Sequence, residues 1–215
     1  MTTLTLYPTK DTCLEKQHPD SNKGAGDYLT LWDNSSAIWR AILEFALSDI
    51  PAGATISSAT LRLYYWFYSN NDPVNKAVWA YKLTRTNWVE LEATWNAYKT
   101  GSNWTTAGGD YVTSNPAGGS TTFPSSYGWM EWNVLAIVQD AYANAIPAEL
   151  LVKFQYEIWT IDFSSYAVFH SKEYGSLIPE LVIEYTTPAV ELGAFYQQLS
   201  PLGFNVYRAG QVRGG

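Results

Sequence analysis

Three groups of residues in this chain have types and spacings that could do chemistry. The first is aromatic. Tyr64, Trp66 and Tyr68 alternate along one run, so a strand there carries all three on one face. Flat aromatic faces stack on sugar rings, while neighbouring amides and carboxylates orient the hydroxyls. Trp104 and Trp129 are further candidates for the same work. The alternative is that the face bearing Tyr64, Trp66 and Tyr68 meets a second sheet and is core. The second group is rich in oxygen. Asp11, Glu15, Asp20, Asn22 and Asp27 lie in a stretch dense in Asp, Asn, Gly and Pro. Asp11, Asp20, Asn22 and Asp27 are the candidate ligands of a structural calcium ion, which takes hard oxygen donors. Their spacing is not that of an EF-hand loop, and the alternative is a solvated loop held by Asx-turns. The third group lies in residues 188–215. There Phe195, Tyr196, Phe204, Tyr207, Arg208 and Arg213 are the residue types that dominate protein–protein contacts.

Catalysis is not expected. His18 and His170 are the only histidines, and no Gly-x-Ser-x-Gly elbow, His-Glu-x-x-His motif or Cys–His pairing occurs. Glu90, Glu92, Asp110 and Asp162 supply carboxylates, but spacing alone pairs none of them across a cleft as glycoside hydrolysis requires.

These side chains need a scaffold, and the stretch Ile50 to Tyr68 organises it. A Pro-Ala-Gly-Ala turn opens a long period-two segment, with Ile56, Ala59, Leu61, Leu63, Tyr65 and Phe67 falling mostly on one parity. A second strand-like run, Ile38 to Leu47, precedes it across a Pro- and Gly-bearing turn. Further strands are expected over residues 2–7, 28–32, 76–84, 128–133, 150–161, 167–169 and 180–185. Residues 11–27 are expected as a structured loop, 86–98 as irregular, and 100–126 as a long loop pinned by Trp104 and Tyr111. Asn133 is placed to cap one short helix over about 134–144, with Val134, Ile137, Val138, Ala141 and Tyr142 as its apolar stripe. About ten strands and one helix predict an all-β jelly-roll sandwich over residues 1–187, followed by a C-terminal arm over 188–215.

Composition agrees. Of 215 residues, 47% are hydrophobic and 15% charged, enough for a real core. Ten Trp and sixteen Tyr are more rings than such a core can hide, so some reach the surface. The net charge is −7, and Arg208 and Arg213 against Glu191 make the body before the arm more acidic still. No basic cluster is present, which excludes nucleic acid as a partner. Cys13 is alone, so no internal disulfide forms. No apolar run approaches a membrane span of about 20 residues. The N-terminal sequence lacks the pattern of a signal peptide.

Several local patterns together resemble the DNRLRE-domain family. They are Asp11-Thr12; Arg40-Ala41-Ile42-Leu43-Glu44-Phe45; Ile50 to Ile56 continuing through Ala59-Thr60-Leu61-Arg62-Leu63; Trp88-Val89-Glu90 with Ala93-Thr94-Trp95-Asn96; Phe169 with Ser171 and Glu173; and Pro179 to Tyr185. The resemblance spans residues 11–185. The chain departs from the pattern at Ala46 and Leu91, where the family often has Asp and Gly. The resemblance implies a jelly-roll module of secreted and cell-surface proteins, some of whose members bind alginate-like polysaccharides. It implies structural roles for Trp88 and Trp95 as core wedges, and a pairing of Arg40 with Glu173.

Two functions follow as expectations. The first is a non-enzymatic structural subunit of a larger assembly, such as a decoration or tail-associated protein on a virion surface, held to other protein subunits through the arm. The second is a stand-alone or secreted module that binds a polysaccharide.

Overall fold

The computed structural model describes residues 1–113 and 118–188. Thirteen strands alternate with loops: β1 Thr2–Leu6, β2 Lys10–Glu15, β3 Tyr28–Trp32, β4 Trp39–Phe45, β5 Thr55–Asn70, β6 Ala77–Lys82, β7 Ala97–Lys99, β8 Ser102–Asn103, β9 Ser120–Thr122, β10 Gly128–Asn133, β11 Ala148–Phe154, β12 Ser165–His170 and β13 Glu180–Thr186. Among the described residues one α-helix, α1, spans Leu135–Ala143. All strand pairs are antiparallel.

Eleven strands form one curled sheet, in the order β1-β13-β5-β12-β3-β4-β11-β6-β9, with β10 added beside β5 and β2 beside β4. The path folds over between β3 and β4, which share the single register pair Trp32↔Trp39. The two halves then face each other as a jelly-roll sandwich. Leu61, Leu63, Tyr65, Phe169 and Leu181 from one half meet Leu43, Phe45, Leu150 and Val152 from the other in the main core. The helix closes one end, with Ile137, Val138 and Ala141 buried. Its N-cap is Val134, without a side-chain cap bond; Asn133, expected in that place, stands one residue earlier, and its Oδ1 accepts from Leu135 N at 3.0 Å in an Asx-turn.

The outer faces of the two halves differ. Ile42 and Leu151 point away from the main core, and a second cluster covers them: Trp88, Ala93, Trp95 and Trp104, brought over by residues 86–108. Trp88 and Trp95 are core wedges, as the family pattern implies. Trp104 is 5% exposed and donates from Nε1 to the Thr94 carbonyl at 2.8 Å. It pins the long loop, and its ring has no free face for a sugar. The outer face of the β10-β5-β12-β3 half carries no such cover among the described residues.

Three expectations fail here. Residues 10–15 are not loop but strand β2, buried through Asp11, Thr12, Cys13, Leu14 and Glu15. Polar residues there read as loop, yet the fold holds them: Lys172 N donates to Asp11 at 2.9 Å, and the Lys23 ammonium lies 2.9 Å from Glu15. The Cys13 sulfur accepts from Thr30 N at 2.9 Å, and burial pushes its thiol up to about 12. Strand β11 ends at Phe154, short of the expected 161. The chain leaves the sheet there and carries Glu157 to Arg40. The guanidinium of Arg40 donates Nε and Nη2 to Glu157 at 2.9 and 2.8 Å, and Nη1 to the Gly108 carbonyl at 2.8 Å. Arg40 therefore pairs with Glu157, not with Glu173.

Candidate functional site

The outer face of the β10-β5-β12-β3 half is aromatic, and β5 sets its pattern through two bulges. The first lies between Ser58 and Ile56, where the register with β13 shifts. It explains why Ile56, of the opposite parity to Ala59 and Leu61, is also buried. The second is at Trp66. Phe67 faces Val168 and Tyr65 faces Phe169, so Trp66 has no partner opposite on β12. A bulge puts two successive side chains on one face and reverses parity beyond it. Trp66 and Phe67 thus both join Tyr64 on the outside, and Phe67 is 41% exposed. Tyr68 turns inward instead. It lies opposite the fully buried Ala167, packs on the main core, and meets Tyr127 at 6.3 Å. Tyr68 therefore leaves the sugar-stacking group, and Phe67 takes its place.

Neighbouring strands extend the patch. Trp129 on β10 sits edge-on to Tyr64 at 5.5 Å, its register partner. On the other edge His170 of β12 lies 5.2 Å from Tyr64 and stacks on Tyr174 at 3.6 Å. Tyr28 at the start of β3 stacks on Trp66 at 5.2 Å and approaches Tyr174 at 5.6 Å. The rings cross four strands, β10 to β3. Three strand spacings give a strip of about 14 Å, long enough for a few sugar units. Tyr28 and Tyr174 are 40% and 39% exposed. Tyr64, Trp66 and Trp129 are half-buried and wall the strip.

Polar groups stand at its Trp129 end. Arg62 lies over the Trp129 ring at 4.4 Å, and holds Glu131 at 3.1 Å on one side and Glu180 at 2.5 Å on the other. Those three residues offer donors and acceptors for hydroxyl groups. In the middle, burial among the rings holds the His170 imidazole below its ordinary range, so it is neutral at pH 7 and Nδ1 lies 3.2 Å from the Ser176 carbonyl. It is 4% exposed and supports the strip from beneath Tyr174. Sequence periodicity missed Phe67 because the bulge leaves no mark in a single strand's alternation, and missed Tyr28, His170 and Tyr174 because strand pairing brings them in from other parts of the chain.

The oxygen-rich group is arranged differently from expectation. Asp11 joins Glu90 and Glu173, whose carboxylate oxygens lie within 4.8 Å of one another. Asp20 instead accepts from Asn96 Nδ2 at 2.9 Å. Asn22 donates to the Glu90 and Ala93 carbonyls at 2.7 Å each. Asp27 is exposed, and only its carbonyl is used, by Ser171 N. Of the four candidate calcium ligands, the fold gathers Asp11 alone. The three carboxylates could hold a cation, and the ammonium of Lys172 already lies among them, 3.1 Å from Glu90 and paired with Glu173. Burial pushes the Asp11 carboxyl up to about 8, opposed by the Lys172 N–H and reinforced by the charges of Glu173 and Glu90.

A second close carboxylate pair, Glu44 and Glu149, faces across β4 and β11. Glu149 is 3% exposed and accepts from Trp88 Nε1. Among the described residues no helix is long and apolar enough to cross a membrane. Phe195, Tyr196, Phe204, Tyr207, Arg208 and Arg213 lie outside the described residues.

The model of carbohydrate-binding module family 96 matches residues 2–185, the whole jelly roll. The chain belongs to this family. The match contains the span that resembles the DNRLRE-domain family. A carbohydrate-binding module is a binding unit and not itself a catalytic one. No curated protein matches the chain.

Proposed function

We propose that this module binds a polysaccharide along the outer aromatic strip, by stacking sugar rings on Phe67, Tyr28 and Tyr174 between the walls of Tyr64, Trp66 and Trp129. One observation carries the reading. The β5 bulge places Trp66 and Phe67 beside Tyr64 on the outer sheet face, where Phe67, Tyr28 and Tyr174 are exposed. Rings on strands are held before the ligand arrives, so little ordering entropy is lost on binding. The acidic body favours a neutral polysaccharide over a polyuronate, because Arg62 is already offset by Glu131 and Glu180.

Affinity electrophoresis against neutral and uronate polysaccharides, followed by calorimetry on the best ligand, tests this. Phe67→Ala and Tyr28→Ala should each weaken binding roughly 30-fold, the equivalent of about 2 kcal/mol at a hot spot. Tyr156→Ala, exposed elsewhere, should bind as the parent does. Equal affinity in all three variants, or no polysaccharide bound, would remove the strip as the site. The virion-subunit expectation rests on residues 188–215, and nothing in the described body favours it over sugar binding.

A further inference from the structure

A second concavity, of about 690 Å³, lies at the end of the sandwich away from any stacked ring. Leu47, Ile50 and Ala52 form one wall, from the turn between β4 and β5. Tyr142, Ile146 and Pro147 form the other, from the end of α1. The lining is apolar, and the groove is preformed. The Tyr142 hydroxyl donates to the Pro51 carbonyl at 2.6 Å and accepts from Ala54 N at 3.0 Å, which ties the turn to the helix.

The polypeptide leaves the jelly roll at this groove. Pro188, the last described residue, stands beside Gly53 on its lip, where a Cβ on Gly53 would meet the Pro188 ring at 3.5 Å. The next eight residues read Ala-Val-Glu-Leu-Gly-Ala-Phe-Tyr, with Val190, Leu192, Phe195 and Tyr196 apolar. Extended, eight residues reach roughly 26 Å, enough to cross the groove from its lip. Tethering so close to the site gives these side chains an effective concentration in the millimolar range, which another chain must exceed to displace them.

We infer that residues 190–196 of this same chain dock in the groove between the β4–β5 turn and the end of α1. Phe195 and Tyr196 then have their partner within the molecule. The groove is independent of the aromatic strip, so the docking stands or falls separately from polysaccharide binding.

Cysteine pairs in the full-length protein test it. Ala143→Cys is combined in turn with Val190→Cys, Leu192→Cys and Phe195→Cys, each pair is oxidised, and the products are run without reductant. The expected result is an intramolecular cross-link in most of the protein, at monomer mobility, for at least one pair. Cross-linked dimers alone would overturn the inference and give the segment to a neighbouring copy. No cross-link in any pair would overturn it too. As a second readout, Leu192→Asp with Phe195→Asp should raise the fluorescence of an apolar dye severalfold, with the fold intact by circular dichroism. Unchanged dye binding would mean that the groove was already open.

Discussion

Removing Arg40 should cost far more than removing a surface arginine. Its guanidinium is 9% exposed, forms a two-point pair with Glu157, and lies between the rings of Trp95 at 4.9 Å and Tyr111 at 5.5 Å. Breaking a buried pair from one side typically costs about 3–5 kcal/mol, because the abandoned charge stays buried. Lys153 lies 3.2 Å from Glu157 and offsets part of that penalty, so the lower end, about 3 kcal/mol, is expected for Arg40→Ala. For a chain of this size that is a fall in melting temperature of roughly 6–12 °C. It lies within the usual total stability of about 5–15 kcal/mol, so the variant still folds and can be measured. Urea titrations of Arg40→Ala, Glu157→Gln and the double variant close a cycle that isolates the coupling. A parallel cycle with Glu173→Gln should give none, since Glu173 pairs with Lys172. A cost below about 1 kcal/mol, the range of exposed pairs, would refute the argument. So would a larger coupling to Glu173 than to Glu157.

Three further outcomes follow from the buried polar groups and a close glycine. Burial pushes Glu149 up to about 8, against 4.5 for a free carboxyl, so the folded protein keeps a proton that the unfolded chain releases. Stability from this group is full below about 4.5 and is lost as pH rises through about 8; Glu149→Gln should flatten that decline in melting temperature, and an unchanged slope would contradict it. Chelation with EDTA should leave the melting temperature unaltered, because Lys172 supplies the cation for Glu90 and Glu173; a drop of several degrees would place a metal ion there instead. Gly24→Ala should cost about 2 kcal/mol by overpacking, since its Cβ would fall on the Glu90 backbone carbonyl; a neutral effect in urea titration would show that the 11–27 segment shifts freely.

Much of the fold was legible because alternation is a backbone property. Strands β3 and β10 fall on their expected residues, Tyr28–Trp32 and Gly128–Asn133, and the helix begins one residue inside the expected span. What period-two reading could not supply was register. Tyr68 shares a parity with Tyr64, yet one unpaired residue, Trp66, sends it to the other face. Strand β2 was hidden for a different reason. Asp11 carries loop chemistry in composition, while its partners, the Lys172 N–H and the Glu90 carboxylate, come from far along the sequence. Arg40 was legible as a buried cation, but its partner lies in the irregular stretch after β11, where no pattern points to it. Trp104 shows the converse, a ring that composition offers to a ligand and packing consumes.

The lone sulfhydryl of Cys13 gives this molecule a built-in clock. It lies 1% exposed on β2, which pairs with β4, and its sulfur accepts from Thr30 N of β3 and is held far from its reactive thiolate form. A labelling reagent reaches it only when β2 parts from its neighbours, so the pace of labelling reports how often that strand opens. Because the chain holds one cysteine, every molecule labelled has opened there. The same count, taken with a saturating polysaccharide present, would tell whether a guest on the opposite half of the sheet steadies β2 or leaves its breathing untouched.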